Sequence, residues 1–231
     1  MAHPYWPFFD LRIRTPRLEL RPACTVEDIT NLAALAAAGI HDADFMPFMT
    51  PWSVGPSPEL ERKAMQHYWA LWGKFSADDW HVPFAVLADG ELVGTQAVGA
   101  DRFSLRKTVV TGSWLGKAHQ GMGIGKEMRA AVLHFAFEGV GAERAETGAF
   151  HDNAPSIGVT RSLGYRPNGD RIITRGGDKA DVEYEYVMTV DEWRPRRRDD
   201  IELEGVDACL DMLGARSSDA PATEGRTPPQ G

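Results

Sequence analysis

The stretch that most constrains the fold is an uncharged run, Thr108–Val109–Val110–Thr111–Gly112–Ser113–Trp114–Leu115. After a four-residue gap come Gln120–Gly121–Met122–Gly123–Ile124–Gly125–Lys126 and an apolar helical pattern. The run is rich in β-branched and aromatic residues, which predicts a buried strand. Met128, Val132, Phe135 and Ala136 recur at three- and four-residue spacing, which predicts a helix from about Gly123 to Phe137. Glycines 121, 123 and 125 let backbone N–H groups converge at the helix start, where the helix adds partial positive charge. That is a seat for a phosphate or pyrophosphate.

Two familiar phosphate loops fail on spacing. A nucleoside-triphosphate loop needs four residues between Gly and Gly-Lys, then Ser or Thr. Here three residues separate Gly121 from Gly125–Lys126, and Glu127 follows. A dinucleotide loop needs its third glycine three residues after the second, and here the interval is two.

The rest of the chain reads as alternating elements. Leu18–Arg21 is a short strand, and Val26–Ala38 a helix with Thr25 as N-cap and Gly39 past its end. His41–Pro58 has no period and reads as a loop, while Pro58–Phe75 is a helix with Met65, Tyr68, Trp69 and Trp72 on one side. Pro83–Ala88 and Leu92–Ala100 alternate around the hairpin signal Asp89–Gly90. Glu143–Phe150 is a strand, Pro155–Leu163 a short helix, and Tyr165–Arg175 with Val182–Val190 a closing hairpin. The order βααβββαβαββ predicts an α/β (α+β) protein with a mixed sheet and helices on both faces. Residues 1–14 form an aromatic arm, 15–193 the domain, and 194–214 an extension that packs on the domain or on a dimer partner. Residues 215–231, rich in Ser, Pro, Thr and Gly, are expected to be a disordered tail.

A formal net charge of −8 argues against a nucleic-acid partner, and the one basic run, Arg194–Arg198, is followed directly by Asp199–Asp200. No apolar run approaches the roughly 18 residues of a membrane span and no leader pattern is present, so the expectation is a cytoplasmic protein with no membrane contact. Cys24 and Cys209 stand in no metal spacing, so no metal is expected.

The loop resembles that of the GCN5-related N-acetyltransferase (GNAT) superfamily, Gln/Arg-x-x-Gly-x-Gly/Ala, on Gln120, Gly123 and Gly125. Asn153–Ala154–Pro155–Ser156 and Leu163–Gly164–Tyr165–Arg166 resemble the Asn-x-x-Ser and Leu-Gly-Phe signatures of its RimJ/RimL branch. Thr15–Pro16–Arg17–Leu18–Glu19–Leu20–Arg21–Pro22 resembles that branch's first strand. The resemblance spans roughly residues 15–190 and implies a mostly antiparallel sheet, splayed between its fourth and fifth strands.

It also implies an acyl-CoA N-acyltransferase. The pyrophosphate of acetyl-CoA would lie on the N–H groups of Gln120, Gly121, Met122, Gly123, Ile124, Gly125 and Lys126. Pantetheine would run antiparallel to Ser113, Trp114 and Leu115, and the N–H near Leu115 would polarise the thioester. Asn153 and Ser156 would lie beside the sulfur, with Ser156 the candidate to protonate the leaving thiolate. On the residues alone, Asn153 and Ser156 read equally as a helix cap. Phe45, Trp52, Trp72, His81 and Ser113 are candidates for the acceptor side, and Phe48 and Trp69 belong to the same aromatic group. The acceptor is expected to be a small-molecule or peptide amine. Acetyl is the default acyl group, and succinyl, as succinyl-CoA, would call for a cation such as Arg102, Arg106 or Lys107.

The chain departs from the family pattern in lacking Asp or Glu from Lys107 to Gly116 and in carrying Thr160 where many members have a tyrosine acid. His81, His151–Asp152 and Glu146 are the other titratable candidates near the expected site, whereas His119 and His134 read as loop and helix-surface residues. The missing acid and base also leave room for a rival from another class, a non-catalytic acyl-CoA-binding or assembly protein.

Overall fold

The computed structural model describes residues 3–216; the segment expected to be a disordered tail lies outside them from residue 217 onward. Strands β1 (Arg12–Arg14) and β2 (Leu18–Pro22) precede helices α1 (Val26–Ala37) and α2 (Glu59–Gly73). Next come β3 (Asp79–Ala88), β4 (Glu91–Asp101), a one-turn α3 (Phe103–Arg106), β5 (Thr108–Leu115), α4 (Ile124–His134) and β6 (Arg144–Phe150). Helix α5 (Ala154–Ser162), β7 (Arg166–Arg175), β8 (Lys179–Thr189), α6 (Val190–Trp193), β9 (Glu202–Glu204) and α7 (Val206–Cys209) complete the chain.

The nine strands form one sheet in the order β7-β8-β6-β5-β4-β3-β2-β1-β9, antiparallel except between β5 and β6. Alternation assigns its faces. Val82, Phe84 and Val86 of β3 point to α4 and join Met128, Val132 and Phe135 in one buried cluster. Ala85 points the other way, toward Ile29 and Leu32 of α1 and Tyr68 of α2. Each such large side chain contributes about 1.5–3 kcal/mol by leaving water.

Local signals behave as their chemistry requires. The Thr25 hydroxyl accepts from the Asp28 N–H at 3.1 Å and caps α1. Asp89 and Gly90, both at positive φ, turn β3 into β4. Helix α4 stops short of Phe137: from Phe135 to Gly139 the coil widens, with the Val140 N–H bonded five residues back to Phe135 O at 3.0 Å.

The ends of the chain carry structure that periodicity did not reveal. Phe8 is fully buried and packs edge-on to Phe75, and β9 pairs with β1, Leu203 opposite Ile13. The Trp80 indole donates to Leu213 O at 3.0 Å. Three-residue strands are too short for a period to register in sequence.

Three readings need correction. Strand β5 is only partly buried, because Val110 and Gly112 face a side of the sheet that α1 and α2 leave open. Trp69 turns outward and is half exposed, away from buried Tyr68. His134 is buried rather than on the helix surface, its ring edge-on to Trp193.

Candidate active site

The site begins where two parallel strands part. Thr108, Val109 and Val110 pair with Arg144, Ala145 and Glu146, and the ladder then stops. Beyond it only side chains bridge the strands: Thr147 Oγ1 donates to Thr111 O at 3.0 Å. By alternation the main-chain groups of Thr111, Ser113 and Leu115 point into the opening, while those of Gly112 and Trp114 belong to the β4 ladder.

At the wide end of this splay the chain turns into α4. Gly121 and Gly123 have φ of 73° and 80°, a left-handed conformation that side-chain-bearing residues seldom adopt. Gly125 lies under Leu115 and Val159, each 3.8 Å from where a Cβ would stand. Exposed Met122 and Lys126 flank the turn, and buried Ile124 starts the helix. Gln120 has a structural duty as well: its Nε2 donates to Ile40 O at 2.8 Å and Leu115 O at 3.0 Å, which ties the loop to the strand end.

Beneath the loop, Glu127 is buried and accepts from Thr15 Oγ1 at 2.6 Å and Arg17 Nε at 2.7 Å. Burial would raise its pKa, but the bonds from Thr15 and Arg17 outweigh that and hold it below its ordinary value. Arg17 also donates to Met122 O at 3.3 Å, so a half-exposed cation stands beside the glycine turn. Thr15 and Arg17, part of the stretch that resembles the family branch's first strand, are therefore also the clamp of the loop.

The other sequence candidates fall into distinct places. Asn153 Oδ1 accepts from the Ser156 N–H at 3.3 Å and caps α5, which starts four residues after the end of β6. Ser113 turns its hydroxyl toward α4, and Trp114 faces the opposite side, its ring 5.8 Å from that of Trp52. Trp52 and Phe48 pack against a cluster containing Ala36, Ile40 and Leu60. Phe45 stacks under the Arg175 guanidinium at 5.2 Å. Trp72 instead joins the N-terminal arm, donating to Ala23 O at 2.7 Å and packing against Trp6 and Phe8. Thr160 is buried, its hydroxyl without a partner among the described residues.

On the open face of the sheet the His81 ring lies flat over Gly99, and the Glu183 carboxylate lies over Gly148. Glu183 is held by Arg171 at 2.8 Å and Glu146 by Arg144 at 2.6 Å. His151 pairs with Asp181 at 3.2 Å. Arg102, Arg106 and Lys107 lie before β5, at the closed end of the splay, and Arg106 pairs with Asp101. The tip of the β7–β8 hairpin reaches across to the loop after α1: Gly176 and Gly177 donate to Phe48 O and Met49 O, and Arg175 Nε to Met46 O at 2.7 Å.

Sequence reasoning missed Glu183, Arg17 and Arg129. Only Arg129 left a signal, a charge in the otherwise small and apolar row Gly125–Arg129–Leu133–Ala136. Among the described residues no His, Cys, Asp or Glu cluster suits a metal, and no helix is long and apolar enough to cross a membrane.

Comparison with known proteins agrees with this geometry. Mycobacterium smegmatis RimJ in complex with CoA-disulfide superposes with a TM-score of 0.63 at 20% identity, over 89% of this chain and 95% of that one. RimL, the ribosomal L7/L12 alpha-N-protein acetyltransferase, in complex with coenzyme A gives 0.59 at 20% identity, over 77% and 97%. A GCN5-related N-acetyltransferase from Brucella melitensis gives 0.62 at 19% identity, over 79% and 80%. At such identities these structures establish the fold. The acetyltransferase (GNAT) domain model matches residues 17–166, and the chain accordingly belongs to the GNAT family of N-acetyltransferases.

Proposed function

We propose that the chain moves an acetyl group from acetyl-CoA to a low-pKa amine by direct transfer while both substrates are bound. One observation carries this reading. The β5–β6 ladder stops at Val110 and Glu146, and beyond the end of β5 a glycine turn, with Gly121 and Gly123 at positive φ, leads into α4. The turn suits a pyrophosphate, and the free edge of Ser113 and Leu115 suits an extended amide chain. In this reading Asn153 and Ser156 would lie beside the departing sulfur. The amine would approach over Val110, Gly112 and Gly148 on the open face, between His81 and Glu183.

The choice of amine follows from the lack of a carboxylate free of an arginine partner beside the approach. A lysine amine near ~10.4 costs about 4.6 kcal/mol to deprotonate at pH 7, and an α-amine near ~7.8 about 1.1 kcal/mol. The carboxylates beside this approach, Glu146, Glu183 and Glu185, are all paired with arginines. An α-amine can therefore lose its proton to water at tolerable cost. RimL, named an alpha-N-protein acetyltransferase, supports the same acceptor class.

The test is acetyl transfer to peptides with a free N-terminus, compared with peptides blocked there and carrying one lysine. Faster transfer to the free N-terminus is expected. A preference for the lysine would overturn the acceptor, and binding of acetyl-CoA without transfer to any amine would favour a non-catalytic carrier.

A further inference from the structure

Among the described residues, one buried cation has no anionic partner. Arg129, on the second turn of α4, is 4% exposed, and its guanidinium spans three strands. Nε donates to Gln96 Oε1 on β4 at 3.2 Å, Nη1 to Thr147 Oγ1 on β6 at 3.2 Å, and Nη2 to Ser113 Oγ on β5 at 3.1 Å. Its described partners are all neutral. From β5 Thr111 also faces it; from β8 Tyr186, opposite Thr147 in the register, shares that face; and Tyr165 approaches from the turn after α5. Tyr165 is the one titratable group acting on it, and the Tyr165 hydroxyl is itself buried without a good partner among the described residues. On its own helix, Glu127 is committed to Thr15 and Arg17.

Burying a guanidinium among neutral groups is costly, and an apolar side chain of similar volume would pack there at less cost. Such anomalies collect at functional sites. The position of this one is specific. Ser113 and Thr147 are on the two strands that diverge, so Arg129 bridges them where the main-chain ladder has ended.

We propose that Arg129 is a positioning residue that braces the splay and holds positive potential beneath the thioester sulfur, so that coenzyme A departs as a thiolate without a proton donor. The proposal rests on the coenzyme A reading, in which the reactive end of pantetheine lies beside Ser113. The amine nitrogen attacks the thioester carbonyl carbon and forms the C–N bond. The C–S bond then breaks with its electron pair going to sulfur, and the surplus proton on nitrogen passes to water. Nothing in this step requires the tyrosine that Thr160 replaces.

The effect is measurable without turnover. Isothermal titration of the full chain with coenzyme A and with desulfo-coenzyme A, at pH 6 and pH 9, compares ligands that differ only in the thiol. A free thiol titrates near ~8.5, so lowering it by one unit on binding raises the affinity ratio about eightfold between those pH values. The wild type is expected to show that rise, R129K to retain most of it, and R129M to lose it with a thermal transition still present. A flat ratio in the wild type, or an R129M ratio that rises as the wild type's does, would overturn the proposal. If R129M does not fold, a flat wild-type profile still overturns the proposal, and loss of the rise in R129K would overturn it as well. Binding of neither ligand would instead overturn the coenzyme A reading, and this proposal with it.

Discussion

Replacing Glu127 with Gln removes the charge that clamps the loop while keeping its shape. The carboxylate, buried with a side chain 8% exposed, takes hydrogen bonds from Thr15 at 2.6 Å and Arg17 at 2.7 Å. Breaking one partner of a fully buried pair costs about 3–5 kcal/mol. Two features reduce that here: the Arg17 side chain is 53% exposed, so water takes up its charge, and Gln keeps an acceptor for Thr15. About 2 kcal/mol remains, the value of a charge-assisted hydrogen bond, or a fall in Tm of about 4–8 °C for a chain of this size. The pH dependence separates this from loss of packing. Because the folded pKa lies below the ordinary value, the stabilisation is complete above the normal carboxylate range and disappears as pH falls through the folded pKa. Urea denaturation of wild type and E127Q should show the gap at pH 7 and see it close in acid. A gap of the same size at both ends of that range, or none at pH 7, would refute the reasoning.

Other contacts carry their own expected outcomes. Thr25→Ala should cost about 1 kcal/mol by uncapping α1, read from a denaturation midpoint. Gly94→Ala would set a Cβ 2.3 Å from Trp114 O and 2.9 Å from Leu115 Cα, immobile backbone, and should cost about 1–3 kcal/mol. Gly148→Ala meets only the Glu183 carboxylate, 2.5–2.9 Å away, which can swing aside, so its cost should stay within about 1 kcal/mol; equal losses for the two glycines would contradict this. Burial pushes the thiols of Cys24 and Cys209 up to about 12, so iodoacetamide at pH 8 should label neither in the native protein and both in guanidinium; fast native labelling would show the burial is wrong.

The central unit was readable because it is local. Strand, glycine turn and helix are contiguous, and β5 runs from Thr108 to Leu115 as its residue types predicted. The two hairpins and the N-cap of α1 were readable for the same reason. What escaped depends on residues far apart in the chain. Arg17 meets Glu127 across 110 positions, and Arg129 meets Gln96 across 33. Trp72 was a candidate for the acceptor side because the family resemblance puts its loop–helix region over that side, yet its ring belongs to a core completed by Trp6 and Phe8, which no local pattern can disclose.

The alternation of β5 explains how one strand can serve two ligands. Thr111, Ser113 and Leu115 face α4 with their side chains and the splay with their main chain, whereas Val110 and Gly112 lie on the opposite, open face and Trp114 on the same side packs against Trp52. In the proposed reading the first set meets the thioester and the second meets the amine, so a slip of one residue would exchange their duties. The register must then be fixed at the loop as well as in the sheet. It is: the Gly116 N–H bonds to Val93 O at 2.9 Å, Gln120 reaches back to Leu115 O, and Gly94 opposite Leu115 admits no side chain. These contacts couple the glycine turn to the strand, so the seat for the phosphates and the edge for the thioester hold one relative position.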